Sequence, residues 1–416
     1  MMAKQLQSIR GIHDGLPGEV ANWQFIERQF EQVFRQYAFA EVRLPVLEPT
    51  ELFVRSIGEE TDIVSKEMYA FEDQGGDHLC LRPEGTAGAV RAYLQAGLTR
   101  SGGQRWYYKG PMFRRERPQK GRLRQFQQIG AEWFGASGPA EDIDMLAMAW
   151  QLIQSIQLQH VHMEINSLGC PDCRPAYRDT LQAYLTDKQQ HLCETCHQRM
   201  HSNPMRVLDC KVQSCQQQLT DAPEMVAHLC EPCTSHFDTL KTGLAALAIP
   251  FVVNARIVRG LDYYNRTAFE IITDQLGAQG TVLAGGRYDG LVSELGGPAT
   301  PAIGFAAGLE RLGLLLEASA VSVSSAGVDV AVAALGDATL SYSLQVAQQL
   351  RQHGLTVLHC GGGNAKRQFK VADRESARFV AVLGEDEMQA QSLTLKNLAS
   401  GEQITCDITE AIQHIK

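Results

Sequence analysis

Basic side chains are concentrated in one short part of this chain, between Arg105 and Arg124. The whole sequence of 416 residues is acidic, with 38 Lys and Arg against 47 Asp and Glu and a formal net charge of -9. Yet this stretch holds eight basic residues and a single acid, Glu116. Arginine presents a permanently charged planar fork that binds phosphate and carboxylate oxygens. The stretch therefore predicts an anion site, and it makes nucleic-acid binding compatible with an acidic chain.

Two strands are predicted to position these groups, over "RWYYKGPMFRRE" and "QFQQIGAEWFG", with "RPQKGRLR" as the connecting loop. Alternate side chains of a strand share a face, so Ile129, Ala131 and Trp133 form an apolar face of the second strand. Its opposite face carries Phe126, Gln128, Gly130 and Glu132. On the first strand Arg114 and Glu116 share a face. A binding floor and the solvated side of an antiparallel sheet both fit this pattern.

Cysteines are dense in a second part of the chain, where three pairs have the Cys-x-x-Cys spacing typical of zinc ligands. The eight residues concerned are Cys170, Cys173, Cys193, Cys196, Cys210, Cys215, Cys230 and Cys233. Eight thiols would serve one or two structural zinc ions. Cysteine is also a small apolar residue in many protein interiors, so a metal site and a purely apolar role both remain open.

Length and composition are those of an ordinary globular protein. The chain is long enough for two or three domains of about 100–200 residues each, and 44% of its residues are hydrophobic and 20% charged. No segment approaches the roughly 18 apolar residues of a membrane span. The N-terminal "MMAKQLQSIRGIHDG" lacks the apolar core of a signal peptide. We therefore expect a cytoplasmic protein with reduced cysteines.

Hydrophobic patterning divides the chain into three regions. The first, to about residue 159, opens with an amphipathic helix, predicted by apolar residues at three- and four-residue steps. These are Trp23, Ile26, Phe30, Val33, Phe34 and Tyr37. The Cys-rich region, about 166–242, looks inserted, since strand and glycine patterns resume over 251–317. After a small-residue linker over 317–327, alternating strands and helices predict a small α/β domain with a largely parallel sheet.

Six sequence blocks resemble those of a known family. "FRRER" with "RQFQQ" is similar to motif 2 of class II aminoacyl-tRNA synthetases, and "AIGFAAGLERL" is similar to their motif 3. "RGIHDGLP", "LRPEGTAG", "VRGLDYYNRTAFE" and "AGGRYDGLV" narrow the resemblance to histidyl-tRNA synthetases. The blocks run from Arg10 to Arg311 in the family's order, and the C-terminal region resembles its anticodon-binding domain.

The resemblance implies an α+β class II synthetase fold: a mostly antiparallel sheet flanked by helices, a helical insertion and a C-terminal α/β anticodon-binding domain. The implied catalytic core comprises 1–165 and 246–320, the insertion 166–245 and the anticodon-binding domain 327–416. The implied reaction is ATP-dependent ligation of L-histidine to its tRNA through histidyl-adenylate, with Mg²⁺ accompanying ATP. A homodimer is also implied, with "VRLPVLEP" (42–49) near its interface as motif 1.

The resemblance assigns ATP contacts to one group of residues. Arg114 would bridge the α-phosphate and the histidine carboxylate, and Arg259 would hold the α-phosphate from the other side, so both are catalytic candidates. Arg311 would bind the γ-phosphate and cover the adenine, with Phe126 on the opposite ring face. Glu116 would accept a hydrogen bond from the adenine amino group, and Arg122 would bind the outer phosphates.

Histidine contacts are implied for a second group, which shares Arg114 and Arg259 with the first. Its other members are Glu84, Thr86, Gln128, Glu132, Tyr263, Tyr264 and Tyr288. Glu132 and Tyr264 match the contacts to the imidazole ring, and polar partners at both ring nitrogens would reject apolar analogues. Glu132 shares a strand face with Gln128, although an exposed strand carboxylate is the alternative.

Contacts to tRNA are implied in two places. In the motif 2 loop, Arg117, Gln119 and Arg124 suit phosphates and base edges at the acceptor end. The C-terminal region has basic residues that the resemblance directs to the anticodon, although a solvated basic helix face fits each of them singly. They are Arg351, Lys366, Arg367, Lys370, Arg374 and Arg378.

Three alternatives stay open beside the synthetase. One is the non-catalytic paralogue that regulates the first enzyme of histidine biosynthesis, but Glu84, Arg114, Arg259 and the region beyond Gly327 are all present here. Another is a class II synthetase for a different amino acid, against which "RGLDYYNRT" argues. A zinc-dependent nucleic-acid module would explain the Cys-rich region but not the other blocks.

Overall fold

The computed structural model describes residues 6–58, 61–119, 121–258, 261, 263–275, 280–319, 321 and 327–416. It consists of two compact units, Met1–Val321 and Ser322–Lys416. In the described part of the chain, no helix combines the length and the apolar character needed to cross a membrane.

The amphipathic helix predicted near the N-terminus is confirmed. It begins with Pro17, whose fixed φ suits the first turn of a helix, and it buries Ile26, Phe30, Val33 and Phe34 along one face. Helices of the first unit are α1 (Pro17–Gln36), α2 (Thr50–Ile57), α3 (Thr86–Gln95), α4 (Pro139–Ser155), α5 (Arg174–Lys188), α6 (Glu194–Ser202), α7 (Gln213–Gln218), α8 (Glu231–Ala246), α9 (Leu291–Glu294) and α10 (Leu309–Ala318).

An eight-stranded sheet forms the framework of this unit, in the order β1-β5-β6-β11-β10-β9-β7-β8. Only its two outermost pairs are parallel, and all pairs between them are antiparallel. A smaller sheet has the order β2-β4-β3. The strands are β1 (Ala40–Glu41), β2 (Leu47–Pro49), β3 (Tyr69–Glu72), β4 (His78–Leu81), β5 (Gln104–Phe113), β6 (Gln125–Phe134), β7 (Val161–Ser167), β8 (Phe251–Val253), β9 (Asn265–Thr273), β10 (Thr281–Arg287) and β11 (Ala302–Gly308). The predicted mostly antiparallel core is confirmed.

The hairpin of β5 and β6 is the predicted pair of strands, but its first strand is shorter than expected. β5 ends at Phe113, so Arg114 and Glu116 do not lie on a strand face. The reason is a change of backbone partner, because the Arg115 N–H donates to the Glu67 carbonyl at 2.7 Å and draws the chain away from the sheet. The two residues therefore lie in the loop that follows β5.

The Cys-rich region is helical, as predicted, and contains α5, α6, α7 and most of α8. Its core combines the eight clustered cysteines with apolar residues of these helices. The larger of these residues include Tyr177, Leu181, Leu185, Met200, Val207 and Met225.

The second unit confirms the predicted α/β order. Its elements are β12 (Val330–Ala334), α11 (Leu340–Gln352), β13 (Val357–His359), α12 (Ala365–Arg374), β14 (Phe379–Leu383), α13 (Glu385–Ala390), β15 (Leu393–Asn397), β16 (Gln403–Cys406) and α14 (Ile408–Ile415). Strands β13, β12 and β14 are parallel, whereas β15 and β16 extend the sheet in antiparallel pairs. The predicted linker begins too early, because Glu317 and Ala318 belong to α10. Most of its remainder lies outside the described residues.

Candidate functional site

A cavity of about 370 Å³ opens over the central strands of the large sheet. Sequence-predicted site residues come together in its wall from four separate parts of the chain. Those that line the cavity are Glu84, Thr86, Arg114, Glu116, Arg122, Phe126, Gln128, Tyr263, Tyr264 and Arg311. The polar face of β6 is thus the floor of a cavity, and the alternative of a solvated sheet surface is wrong.

Three arginines form the basic part of this cavity. Arg114 donates through Nε to the Pro83 carbonyl at 2.9 Å, and its guanidinium lies 5.4 Å from the ring centre of Phe126. Arg311 donates to the carbonyls of Gly121 and Thr281, at 3.0 and 2.6 Å. These backbone contacts hold the guanidinium groups in place before any ligand arrives, which is the arrangement that favours anion binding.

The arginines repel one another in the ligand-free cavity. Burial, followed by the positive charges of Arg122 and Arg114, lowers the pKa of Arg311. The pKa of Arg122 is lowered by burial and then by Arg114, against the opposing charges of Glu67 and Asp62. A polyanion placed among the three groups would relieve this repulsion.

Glu116 is the acidic partner within the basic part. It is 8% exposed, and its carboxylate pairs with the Arg122 guanidinium. Its other oxygen is 3.9 Å from Arg114. Because β5 has already ended at Phe113, this carboxylate can turn toward the loop arginine and hold it at the cavity wall.

Glu132 belongs, with Glu84, to the acidic part of the site. It is fully buried behind the cavity wall, so the alternative of an exposed strand carboxylate is wrong. Hydroxyl groups of Thr86, Tyr108 and Tyr288 donate to it at 2.7, 3.1 and 2.5 Å. Burial, reinforced by the negative charge of Glu84, raises the pKa of Glu132 to about 8, although these hydroxyl donors act in the lowering direction.

Glu84 caps a helix as well as lining the cavity. Its carboxylate accepts the backbone N–H groups of Thr86 and Ala87 at 2.5 and 2.9 Å, at the first turn of α3. Burial nevertheless raises the pKa of Glu84, against these bonds and the positive charge of Arg114. The cap fixes the orientation of the carboxylate, whose oxygens retain lone pairs for a further donor.

Two further features of the cavity suit a polar ligand. Among the residues that the structure describes, the Gln128 side-chain oxygen is buried without a hydrogen-bond partner. Buried acceptors of this kind cost free energy unless a ligand or water satisfies them. Beside it, the rings of Tyr263 and Tyr264 lie 4.6 Å apart, and Tyr288 lies 5.7 Å from Tyr263.

Some predicted residues lie elsewhere. Arg117 and Gln119 are exposed in the loop between β5 and β6 and do not line the cavity. Arg124 is half-buried and donates to the backbone carbonyls of Glu116 and Arg10, which makes it a support of this loop. Arg259 lies outside the described residues.

Several cavity residues escaped the sequence analysis. Tyr108, Glu270, Glu310 and Asp209 all line the cavity. Tyr108 pairs across the hairpin with Gly130, and a Cβ at Gly130 would collide with the tyrosine ring. The sequence does contain a signal for Tyr108. If the two strands are paired outward from their connecting loop, Tyr108 falls opposite Gly130, and a glycine opposite a tyrosine indicates that the ring lies over the partner strand.

The eight clustered cysteines form two groups that could each hold a metal ion. One contains Cys170, Cys173, Cys230 and Cys233, and the other Cys193, Cys196, Cys210 and Cys215. Within each group all four sulfur atoms lie within 4.8 Å of one another. All 11 cysteines of the chain are free thiols.

Comparison with known proteins bears on both units. The family model described as histidyl-tRNA synthetase matches residues 11–312, and that of an anticodon binding domain matches residues 329–416. A histidine–tRNA ligase of Trichlorobacter lovleyi is 50% identical over 400 residues, which cover 96% of this chain and 95% of the relative.

Two solved structures are similar to this chain over nearly its full length. An apo histidyl-tRNA synthetase of S. aureus is 32% identical with a TM-score of 0.82, over 99% of this chain and 100% of that one. A histidyl-tRNA synthetase of Nostoc sp. PCC 7120 shares the fold with a TM-score of 0.73 at 22% identity, over 99% of each chain. The chain therefore belongs to the histidyl-tRNA synthetase family of class II aminoacyl-tRNA synthetases.

Proposed function

We propose that this chain activates L-histidine with ATP to give histidyl-adenylate and pyrophosphate, and then transfers histidine to its tRNA with release of AMP. The observation that carries the proposal is a cavity whose wall combines basic and acidic side chains. Arg114, Arg122 and Arg311 line it together with Glu84, and the buried Glu132 is bonded to the lining residue Thr86. Such a cavity suits a polyphosphate beside a zwitterionic amino acid.

In the first step a histidine carboxylate oxygen attacks the α-phosphorus of ATP, and the bond from that phosphorus to the bridging oxygen breaks as pyrophosphate leaves. No proton has to move. The requirement is to align two anions and to neutralise the charge that develops on the phosphoryl oxygens. We assign this task to Arg114 and, on the sequence resemblance alone, to Arg259.

The remaining ATP contacts follow from the basic part. Arg311 is assigned to the γ-phosphate and one face of the adenine, Phe126 to its other face, and Arg122 to the outer phosphates. Glu116 is assigned to the adenine amino group, which would compete with Arg122 for its carboxylate. Mg²⁺ would arrive with ATP, and the cavity-lining carboxylates Glu116, Glu270 and Glu310 offer the hard oxygen ligands that this ion takes.

Histidine is assigned to the acidic part. Glu84 and Thr86 would accept from the α-ammonium group, and the unsatisfied Gln128 oxygen is available for the same group. Glu132 and Tyr264 would contact the two ring nitrogens, with Tyr263 and Tyr288 beside them. Rejection of other amino acids would follow, because a ligand without these nitrogens leaves buried polar groups unpaired.

Transfer and partners complete the proposal. The terminal ribose hydroxyl of the tRNA attacks the carbonyl carbon of the adenylate, the bond from that carbon to the phosphate oxygen breaks, and AMP leaves while the hydroxyl proton passes to the leaving phosphate or to water. Arg117, Gln119 and Arg124 are assigned to the acceptor end of the tRNA, and the domain over 327–416 is assigned to its anticodon.

We further infer a homodimer with 42–49 near its interface, and a cytoplasmic location. The catalytic core is assigned to 1–165 and 246–320, and structural zinc to the insertion over 166–245.

The direct test is histidine-dependent exchange of labelled pyrophosphate into ATP, measured against a panel of the other amino acids. We expect exchange with histidine and a kcat/KM roughly 10⁴-fold lower for analogues that lack the ring nitrogens. Comparable exchange with another amino acid, or none with histidine, would contradict the proposal.

A matched pair of arginine variants sharpens this test. Arg114→Ala should lower kcat/KM for exchange roughly 10²–10³-fold, because one fixed charge on the reacting phosphoryl group is removed. Arg28→Ala removes the same side chain from an exposed position of α1 and should stay within about twofold of the parent. Equal rates in the two variants would remove Arg114 from the reaction.

A further inference from the structure

The two cysteine groups lie at different places in the insertion. The root cluster, Cys170, Cys173, Cys230 and Cys233, joins the end of β7 to the start of α8, where the chain leaves and re-enters the core. The tip cluster, Cys193, Cys196, Cys210 and Cys215, joins α6 to α7. The following distances and contacts concern the described residues, which include all eight thiols.

Sulfur spacing in the root cluster is that of a metal site. The Sγ atoms of Cys170, Cys173 and Cys230 are 3.4, 3.8 and 3.3 Å apart. In the tip cluster Cys193 and Cys210 are 3.9 Å apart. Four sulfurs bound about 2.3 Å from a tetrahedral zinc ion are separated by roughly 3.8 Å from one another. Both clusters therefore have room for one ion at the centre of four thiols.

Three of the eight cysteines lie at the start of a helix. Cys173, Cys193 and Cys230 occupy the N-caps of α5, α6 and α8, where the helix dipole stabilises negative charge. Backbone N–H groups also donate to sulfur, from Cys230 to Cys173 at 3.3 Å and from Cys193 to Cys215 at 3.1 Å. Such bonds orient and charge-stabilise metal ligands.

Residues next to the root cluster in the chain are hydrogen-bonded to the tyrosine segment, which carries Tyr263 and Tyr264. Arg174, next to Cys173, donates to the Tyr264 carbonyl and also to the Leu168 carbonyl, the latter at 3.1 Å. The Leu168 N–H donates to the Arg266 carbonyl at 2.6 Å, and the Arg266 N–H donates to the Gly169 carbonyl at 2.8 Å. Residues 168–174 thus hold the C-terminal side of this segment.

The N-terminal side of the same segment is held from the same root. Asn166, at the end of β7, donates to the carbonyls of Ala255 and Ile257, at 3.3 and 3.0 Å. The described residues on either side of the tyrosine pair, Ala255 and Ile257 before it and Arg266 after it, are therefore bonded to the chain that enters the root cluster. Fixing that chain fixes the position from which Tyr263 and Tyr264 reach the cavity.

The tip cluster has a different contact with the core. Arg199, in α6, pairs with Asp62 at 2.5 Å, and Asp209, next to Cys210, lines the cavity. A metal ion here would stabilise α6 and α7 against each other. The two clusters therefore offer matched sites with distinct structural connections.

We propose that the insertion binds two Zn²⁺ ions, one in each cluster, and that the root ion positions the histidine-binding segment. The positioning role of the root ion rests on the proposed function, because it concerns affinity for histidine. Cys170, Cys173, Cys230 and Cys233 are positioning residues, which act on the substrate through Leu168, Arg174 and Tyr264. The tip ion stabilises the outer helices.

Metal content is measured first, on the full chain purified without added zinc. We expect two zinc ions per chain. After replacement by Co²⁺, we expect the intense thiolate-to-cobalt absorption and the visible bands of a tetrahedral four-sulfur site, for two ions per chain. Neither readout needs a substrate, so both remain informative if histidine proves not to be activated. A chain that contains no zinc and takes up no cobalt overturns the proposal.

Two serine variants then separate the clusters. Cys230→Ser and Cys193→Ser each replace a half-buried N-cap cysteine with a residue that caps helices well, so the helices should still form. Each variant should retain one zinc after dialysis against a chelator. Cys360→Ser, at a half-buried cysteine of the second unit, should retain two.

The KM for histidine in pyrophosphate exchange is the decisive readout. Cys230→Ser should raise it roughly 10-fold to 100-fold, as small displacements of positioning groups do, while the KM for ATP changes little. Cys193→Ser should raise the KM for histidine less than Cys230→Ser does, because the residues that hold the tyrosine segment, 166–174, adjoin the root cluster. Cys230→His, which restores a zinc ligand, should recover the second zinc and most of the histidine affinity.

The outcomes are distinguishable. If Cys230→Ser loses one zinc, keeps its helical circular dichroism and shows an unchanged KM for histidine, the positioning role is refuted. If Cys230→Ser does not fold, the parent is compared before and after partial zinc removal, and a histidine KM independent of root-site occupancy refutes the role equally. If the parent contains two zinc ions but no histidine-dependent exchange occurs, the proposed function fails and the two metal sites stand.

Discussion

Glu132 illustrates what a single residue contributes to this site. The family resemblance implied that it contacts the imidazole ring, and its position on the same strand face as Gln128 supported this, but its electrostatic state depends on burial. The carboxyl group accepts three hydroxyl donors and still has its pKa raised to about 8, because no solvent reaches it and Glu84 lies nearby. At pH 7 the group is therefore mostly protonated in the ligand-free site.

This state predicts a pH dependence of histidine binding. If the neutral imidazole donates its N–H to Glu132, the carboxyl group must first lose its proton, so affinity increases as the pH rises toward the raised pKa. We expect the KM for histidine to fall as the pH rises from 7 through the raised pKa of about 8, and to level off only above that pKa. Steady-state pyrophosphate exchange across this range measures it.

Glu132→Gln is the matched control, because an amide of the same shape does not titrate. Its KM for histidine should be higher than that of the parent and should not change with pH in this range. A parent KM that is flat or rises between these pH values would show that Glu132 does not accept the ring proton.

At the scale of elements, one buried network joins α4, α8, β9 and β10. Asp142 in α4 pairs with Arg287 in β10 and with His236 in α8 at 2.7 Å, and the Thr267 hydroxyl of β9 donates to it. Asp142 and Arg287 are both fully buried. Burial alone would raise the pKa of Asp142, but the His236 bond and the Arg287 charge hold it below the ordinary value of 3.8.

Asp142→Ala should therefore destabilise the first unit by up to about 3 kcal/mol, because the buried Arg287 would lose one of its two carboxylate partners and keep only Asp289. Since the folded pKa is depressed, the carboxylate's contribution is present above its ordinary pKa and is lost as the pH falls through the folded value. Urea unfolding of parent and variant at neutral and acidic pH measures both effects.

Asp144→Ala provides the comparison on the same helix. Asp144 is half-buried and burial raises its pKa, so the folded protein does not favour its charge and its removal should change the unfolding free energy by at most about 0.5 kcal/mol. Equal destabilisation by the two variants would mean that helix truncation, rather than the buried network, dominates.

For the whole molecule, the two compact units predict separable activities. All described cavity residues belong to Met1–Val321, and the anticodon-binding match lies in the other unit. A chain ending at Val321 should retain histidine-dependent pyrophosphate exchange within about threefold, because adenylate formation involves no tRNA. Its kcat/KM for aminoacylation should fall about 10²-fold, since two linked contacts with one tRNA gain affinity from the linkage.

Both assays are performed on the same preparations, with circular dichroism confirming that the shortened chain is folded. Aminoacylation at the parental rate would exclude a contribution of the second unit to tRNA binding. A parallel loss of exchange in a folded truncated chain would instead show that the units are not independent.

Much of this protein is determined locally by its sequence. The apolar stripe of α1, the strand and helix order of the second unit and the arginines of the motif blocks are all readable there, because helix and strand periods and side-chain chemistry are properties of neighbouring residues. The family resemblance identified most of the cavity wall in the same way. The C-terminal strands β15 and β16 have weaker patterns and were not identified.

Only the tertiary structure decided which of these groups meet. The end of β5 at Phe113 depends on a backbone bond to Glu67, and the burial of Glu132 depends on Tyr108, Thr86 and Tyr288 from three other segments. Eight similar cysteines likewise allow many groupings, and spacing alone could not assign the root and tip clusters. These outcomes rest on contacts between residues far apart in the chain, whose geometry is set by packing and not by local pattern.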